Sequence, residues 1–380
     1  MITDNRRSED RIRYRFGSGK PGPVVVFFVG IHGNEIAGVE AFDRMEPYLR
    51  EKEGQISGTV YVLTGNLPAL EAGVRYLDTD LNRLWEVHPE TDRQSHRSWL
   101  QQTREYQQYE EIKKEIDGLL ERHSEAGGEF IFADIHTTSA RSCAFVLLND
   151  TLSNRQLAKQ FPAPRILGIE RHIRGTILSY INNLGHTAIG FEAGRHSEPH
   201  SVDRSEAFIR LMLHHTGILK LQRDLFAETE RILEPEEFVP PASYTIKYHR
   251  VIESAETFQM IPGFRNFDPV ERNRSLAYEN GKVVKSPVAG RIFMPLYQKR
   301  GHDGFFIIRE VSAFWLELSA WLKNNYSHSI LRYLPGVKPY SPNGYLVNMD
   351  NTLVGIDDLF HLLGYRISHK DEDTIICYRR

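Results

Sequence analysis

Two histidines and a glutamate in this 380-residue chain stand where they could converge on one ion. His32 and Glu35 are three residues apart in GIHGNE (residues 30–35), a turn that follows an apolar run. His136 follows a second apolar run, in DIHT (residues 134–137). Two imidazoles and one carboxylate with a further position open are one of the ligand sets of catalytic zinc. Such a zinc, one per chain, lowers the pKa of water to about 7. Each fragment alone is weak, because a lone His-x-x-Glu is mostly chance and a lone His at a strand end is usually a hydrogen-bonded structural residue. Asp134, two residues before His136, and Asp80 are carboxylates that could orient a ligand imidazole from behind; the plainer reading of Asp134 is a turn cap.

Glu192, in GFEAG (residues 190–194), closes another apolar run. A carboxylate there is costly unless it is paired, hydrogen-bonded or held neutral. Beside an ion-activated water it would accept a proton and pass it to a leaving amine; a salt bridge to Arg195 is the structural alternative. In RYLDTDLNR (residues 75–83), Arg75, Asn82 and Arg83 offer donors suited to a carboxylate and to an oxyanion.

The elements that must position these groups are read from the apolar pattern. Residues 23–29 are apolar on both faces, as a buried parallel strand requires, and further strands are expected at 58–63, 130–133, 144–148 and 187–191. Helical spacing covers 36–49, a charged stretch at 92–123 reads as a surface helix, and 206–231 reads as one long amphipathic helix. Alternating strands and helices imply an α/β sandwich with a largely parallel sheet, and such sheets bind ligands at strand C-terminal ends. After a Pro-rich linker at 234–243, short alternating segments read as β-rich, followed by a small α+β piece with a helical stretch at 359–363 and a closing strand at 374–378. The expected organisation is a zinc-binding catalytic α/β domain at 1–236, a β-rich C-terminal domain at 237–313 and a small α+β extension at 314–380.

Composition narrows the partners. Lys+Arg number 47 against 50 Asp+Glu, a formal charge of −3, which argues against a nucleic-acid partner. Cys143 and Cys377 are too few for a disulfide framework or a thiolate zinc site, and read as reduced thiols. The longest apolar run, residues 24–31, is far short of the ~20 residues of a membrane span, and the N-terminus lacks a signal-peptide pattern. A cytoplasmic protein with no membrane partner is expected. A homo-oligomer stays open.

Taken together and in order, GIHGNE, RYLDTDLNR, DIHT and GFEAG resemble the succinylglutamate desuccinylase/aspartoacylase family of the zinc carboxypeptidase-like group, over roughly the first two-thirds of the chain. The resemblance implies a zinc-carboxypeptidase-like α/β/α sandwich with a mixed, mostly parallel sheet. It implies that His32, Glu35 and His136 bind zinc, that Glu192 is general base and acid, and that Arg75 polarises the scissile carbonyl. Asn82 and Arg83 would hold an α-carboxylate. The family hydrolyses N-acyl amino acids, so a small N-acyl amino acid is the implied substrate. The aspartoacylase branch has an arginine ten residues before the glutamate; Asn182 stands there, a hydrogen-bonding residue without the cation that selects an acidic side chain. His302 and Asp303, in KRGHDG (residues 299–304), fall near a segment that lines the site in aspartoacylases, or form a plain Gly-flanked turn. Two other readings remain: a metallocarboxypeptidase acting on peptides, and a non-catalytic metal-binding interaction module.

Overall fold

The computed structural model describes residues 11–86, 99–124, 128–196, 198–235, 239, 242–252, 256–325, 328–341, 344–352, 356, 360, 363, 365–369 and 373–378. The first strands are β1 (Ile12–Phe16), β2 (Val24–Val29), β3 (Thr59–Thr64) and β4 (Phe130–Thr138). Then come β5 (Phe145–Leu148), β6 (Arg165–Leu167), β7 (Thr187–Arg195) and β8 (Ser243–Val251). The β-rich segment adds β9 (Phe258–Met260), β10 (Pro269–Val270), β11 (Ser275–Glu279), β12 (Lys282–Lys285), β13 (Gly290–Phe293) and β14 (Asp303–Val311).

Strand β2, VVVFFV, is buried at every position, so both of its faces must be covered. On one face Val24, Val26 and Phe28 pack with Ile112, Ile116 and Leu119 of the helix Arg104–Arg122 and with Ile177 and Ile181 of the helix Ile177–Asn183. On the other, Phe27 meets Phe42 of the helix Ala37–Glu51 edge-on at 5.0 Å, and Phe191 of β7 stacks on Phe208 of the helix Pro199–His215 at 4.1 Å. The sheet between these layers is mixed and mostly parallel, as expected. Its order is β1-β3-β2-β4-β7-β5-β6-β8-β14-β13-β10. Within it β2 runs parallel to β3 and β4, β4 to β7, and β6 to both β5 and β8, while β1 and β5 are antiparallel to β3 and β7. The ladder therefore continues from the ligand-bearing strands into the β-rich segment, whose remaining strands form a separate sheet in the order β12-β11-β9.

Residues 1–149 with 153–310 form one compact unit, and residues 150–152 with 311–380 another. The second contains the helix Ala313–Asn325 and four antiparallel strands, β15 (Val337–Ser341), β16 (Gly344–Asn348), β17 (Arg366–His369) and β18 (Thr374–Tyr378), in the order β15-β16-β18-β17 around Val347, Ile375 and Cys377. Of the expected helical stretch at 359–363, residues 359, 361 and 362 lie outside the described residues. Among the described residues no helix is long and apolar enough to cross a membrane.

Three expectations are corrected. The helix expected at 206–231 is two helices, Pro199–His215 and Arg223–Leu233, because Gly217 takes a left-handed φ of 79° and ends the first. The charged stretch is helical over Arg104–Arg122, where Thr103 caps the first turn by accepting from the Tyr106 amide; residues 92–98 lie outside the described residues. Strands β4 and β7 run further than their apolar cores, so His136 and Glu192 sit inside strands rather than after them.

The turn after β2 is fixed by a close approach. A Cβ on Gly33 would lie 2.0 Å from the Ala69 carbonyl carbon, and the Gly33 amide donates to the Arg75 carbonyl at 3.2 Å. Gly33→Ala must therefore push the His32–Glu35 turn away from its neighbour. We expect a loss of about 2 kcal/mol or more in chemical denaturation, at the high end for overpacking.

Candidate active site

The turn that follows β2 closes through the Glu35 amide on the His32 carbonyl at 3.1 Å, which brings the two side chains together. His136 arrives from β4, one strand over. Glu35 lies between the two rings: Oε1 is 2.8 Å from His32 Nδ1, and Oε2 is 2.9 Å from His136 Nδ1 and accepts from the Thr137 amide at 2.9 Å. One ligand atom from each of His32, Glu35 and His136 lies within 4.8 Å of the others, so the three could hold a metal ion. All are buried.

The outer nitrogens of both rings meet aspartates. His136 Nε2 is 2.6 Å from Asp134 Oδ2, and His32 Nε2 is 3.2 Å from Asp80 Oδ1. Carboxylates behind both imidazoles are the arrangement that fixes ring orientation and raises ligand basicity. Burial opposes the charge on Glu35, but His32 and His136 override it and hold the carboxyl well below the usual range. Burial likewise works against a charged His136, yet Asp134 and Glu35 raise it well above an ordinary histidine. Desolvation likewise works against the charge on Asp80, but Arg75, His32 and Arg83 hold its carboxyl well below the usual range.

Arg75 completes the ring of charges. Its Nη1 approaches Glu35 Oε1 at 3.4 Å and its Nη2 donates to Asp80 Oδ2 at 3.0 Å. Glu192 stands beside His136 in register across the parallel β4–β7 pair, where the two side chains share a face. It is buried, its Oε2 has no protein hydrogen-bond partner, and burial pushes its carboxyl up to about 8. Arg195 is exposed at the strand end. Directly beyond Glu192 the register shifts: β7 spends three steps reaching Arg195 where β4 spends two reaching Thr138, and Gly194 adopts a φ of 117° there. This bulge delivers His196 to Thr137, with Nδ1 2.8 Å from Oγ1.

A cavity of about 350 Å³ opens beside these groups, lined on one side by Arg75, Asp80, Arg83, Thr137, Thr138 and His196. The facing wall is Met294, Leu296, Gln298, His302, Asp303 and Phe306. His302 and Asp303 thus both reach the cavity. Arg83 donates from Nη1 to the Asn82 carbonyl at 2.9 Å and from Nη2 to Asp303 Oδ2 at 2.8 Å. Asn82 is buried, with its Oδ1 accepting from the Ile177 amide at 2.9 Å, which ties the arginine-bearing loop to the neighbouring helix. The structure does not bring Asn182 to the cavity. Near the end of its helix, its Nδ2 donates to the His186 carbonyl at 2.8 Å and its Oδ1 accepts from Asn154 at 3.1 Å. Among the cavity residues His196, Met294, Leu296 and Gln298 were not assigned from sequence; the Gly after Glu192–Ala193 was the one local signal for the bulge.

Residues 21–216, just over half of the chain, match the family model described as the succinylglutamate desuccinylase/aspartoacylase catalytic domain. The chain belongs to this family. A 61-residue stretch is 39% identical to a succinylglutamate desuccinylase of Yersinia enterocolitica, covering 16% of this chain and 18% of that relative. The match therefore spans under a fifth of the relative's length. Among solved structures, a succinylglutamate desuccinylase/aspartoacylase from Rhodobacter sphaeroides superimposes with a TM-score of 0.55 at 15% identity, over 77% of this chain and 87% of that one. A product-bound ectoine utilization protein from Ruegeria pomeroyi gives 0.53 at 17% identity, over 77% and 85%. These likenesses show the desuccinylase/aspartoacylase fold over 77% of the chain.

Asp134→Asn would leave the His136 ring without its anionic partner while keeping its shape. Affinity for a divalent metal ion, measured by chelator competition, is expected to fall about 10–100-fold.

Proposed function

We propose that this chain is a zinc-dependent deacylase that hydrolyses the amide of a small N-acyl amino acid or related metabolite in the cytoplasm. The observation that carries this reading is one buried cluster beside the cavity that joins the His32–Glu35–His136 group, the Glu192 carboxyl and the guanidinium of Arg75. The donor set suits zinc, with two imidazoles and a carboxylate backed by Asp80 and Asp134. Around it, three carboxylates (Glu35, Asp80 and Asp134) against one guanidinium leave two negative charges when both rings are neutral, the complement of a divalent ion. When bound, the ion supplies Lewis acidity and makes water more acidic.

The chain's own residues divide the remaining work. Glu192 takes the proton of the attacking water at its carboxylate and returns it to the amide nitrogen as the C–N bond breaks. Burial raises the proton affinity of this carboxyl toward neutral pH, the range in which one group can both accept a proton and return it. Arg75 cannot swing away, because Glu35 and Asp80 hold it, so it faces developing charge on the carbonyl oxygen without reorganising. Arg83, with Asn82 beside it, meets the α-carboxylate of the substrate and sets which bond reaches the centre. The family membership supports an amide hydrolase; the acyl amino acid class follows from the succinyl and aspartyl substrates in the relatives' names.

Glu192→Gln keeps the shape and removes the proton acceptor. Purified variant is expected to hold zinc at the wild-type ratio while kcat on an N-acyl amino acid falls about 10²–10⁴-fold. Short peptides assayed beside the N-acyl amino acids separate a carboxypeptidase from a deacylase. Retained turnover by the variant would refute the assigned role of Glu192.

A further inference from the structure

The cavity offers fewer available cations than its arginines suggest. Two arginines line it among the described residues, and each already faces carboxylate: Arg75 is held by Glu35 and Asp80, and Arg83 donates to Asp303. Nearby Arg300 does not line the cavity; its guanidinium donates to the Tyr76 carbonyl and lies 5.2 Å from the centre of the Tyr76 ring.

Asp303 is itself firmly placed. Its second oxygen, Oδ1, is 2.8 Å from His249 Nε2, and the His249 ring stacks on Phe306 at 4.2 Å between centroids. Displacing Asp303 from Arg83 would leave the Oδ2 of a half-buried carboxylate without its cation, with only His249 still on the other oxygen. An incoming carboxylate must therefore share Arg83 with Asp303, and a second one would meet the Asp303 charge with no further arginine or lysine among the lining residues to pair it. Ile173, Met294, Leu296 and Phe306 give that end an apolar surface, beside the polar side chains of Gln298 and His302.

We propose that Asp303 is a specificity-determining residue that confines the cavity to N-acyl amino acids with a single carboxylate and an apolar remainder, and turns dicarboxylates away. This rests on the deacylase reading and on Arg83 as the carboxylate contact. His249 positions Asp303, and through it Arg83. The β-rich segment thereby selects the substrate while the α/β part carries the chemistry.

The test compares zinc-loaded wild type, Asp303→Asn and Asp303→Glu on N-acetyl-L-leucine and N-acetyl-L-methionine against N-acetyl-L-aspartate and N-succinyl-L-glutamate. Wild type is expected to favour the monocarboxylates by at least about tenfold in kcat/KM, the scale of a like-charge contact at a binding site. Asp303→Asn should shrink that preference about tenfold, through a lower KM for the dicarboxylates, and Asp303→Glu should keep the wild-type order. A wild-type preference for dicarboxylates, or an Asn variant with the ratio unmoved, overturns the proposal. Equal loss on all four compounds assigns Asp303 a structural role only and overturns it too. If none of the four is hydrolysed, the deacylase reading is what fails. Calorimetric binding of the same compounds to Glu192→Gln protein, with and without Asp303→Asn, then still decides whether Asp303 discriminates between one carboxylate and two.

Discussion

Glu35 is only 2% exposed, and both of its oxygens are engaged by the two imidazoles. An ionised carboxylate so far from water costs several kcal/mol unless its surroundings replace hydration. The replacement here is a closed circuit of contacts: Asp134 to His136, His136 to Glu35, Glu35 to His32, His32 to Asp80, Asp80 to Arg75, and Arg75 back to Glu35. Each of these contacts lasts only while the neighbouring groups stay in place. The structure around the circuit can be understood as the means of holding it.

The scaffold does so with short, stiff connections. His32 and Glu35 share one turn, pinned by the approach of Gly33 to the Ala69 backbone. Asp134 and His136 alternate along a single strand, and Glu192 sits across from His136 on the next. Strands buried on both faces have little freedom to shift register without exposing an apolar face, so the side chains they carry inherit that precision. The Arg75–Arg83 loop has no such strand to stiffen it. It relies on Asn82 bonding the Ile177 amide and on Asp303 holding Arg83.

What the amino-acid sequence reveals divides along the same line. The central strands are legible because a fully buried run has no polar positions, and the mixed, mostly parallel sheet follows from their alternation with helices. The convergence of His32, Glu35 and His136 is legible because two of them share a turn and the third ends an apolar run. Contacts made at long range leave no local pattern: Arg83 and Asp303 are 220 positions apart, and Met294, Leu296 and His249 read as ordinary β-rich residues. Asn182 shows the opposite error, since a family position suggests a ligand contact while the helix end engages its amide with Asn154 and the His186 carbonyl. The apolar spacing runs on past Gly217, where Phe226 of the second helix packs on His214 and His215 of the first, so periodicity alone hides the break that a left-handed glycine makes.

The strand order carries one more consequence, which concerns the size of the cavity. Five inter-strand steps separate β4 from β14, and in a flat sheet that would be roughly 24 Å. Yet Thr138 on β4 and Asp303 on β14 border one space of about 350 Å³. Strands that rotate each against the last coil a sheet as they accumulate, and that is the general means by which distant strands of one sheet come to border one space. Sheet curvature is thus a dimension of the binding site. Packing changes in β5 or β6 that altered the coil would widen or narrow the cavity without touching any residue that lines it.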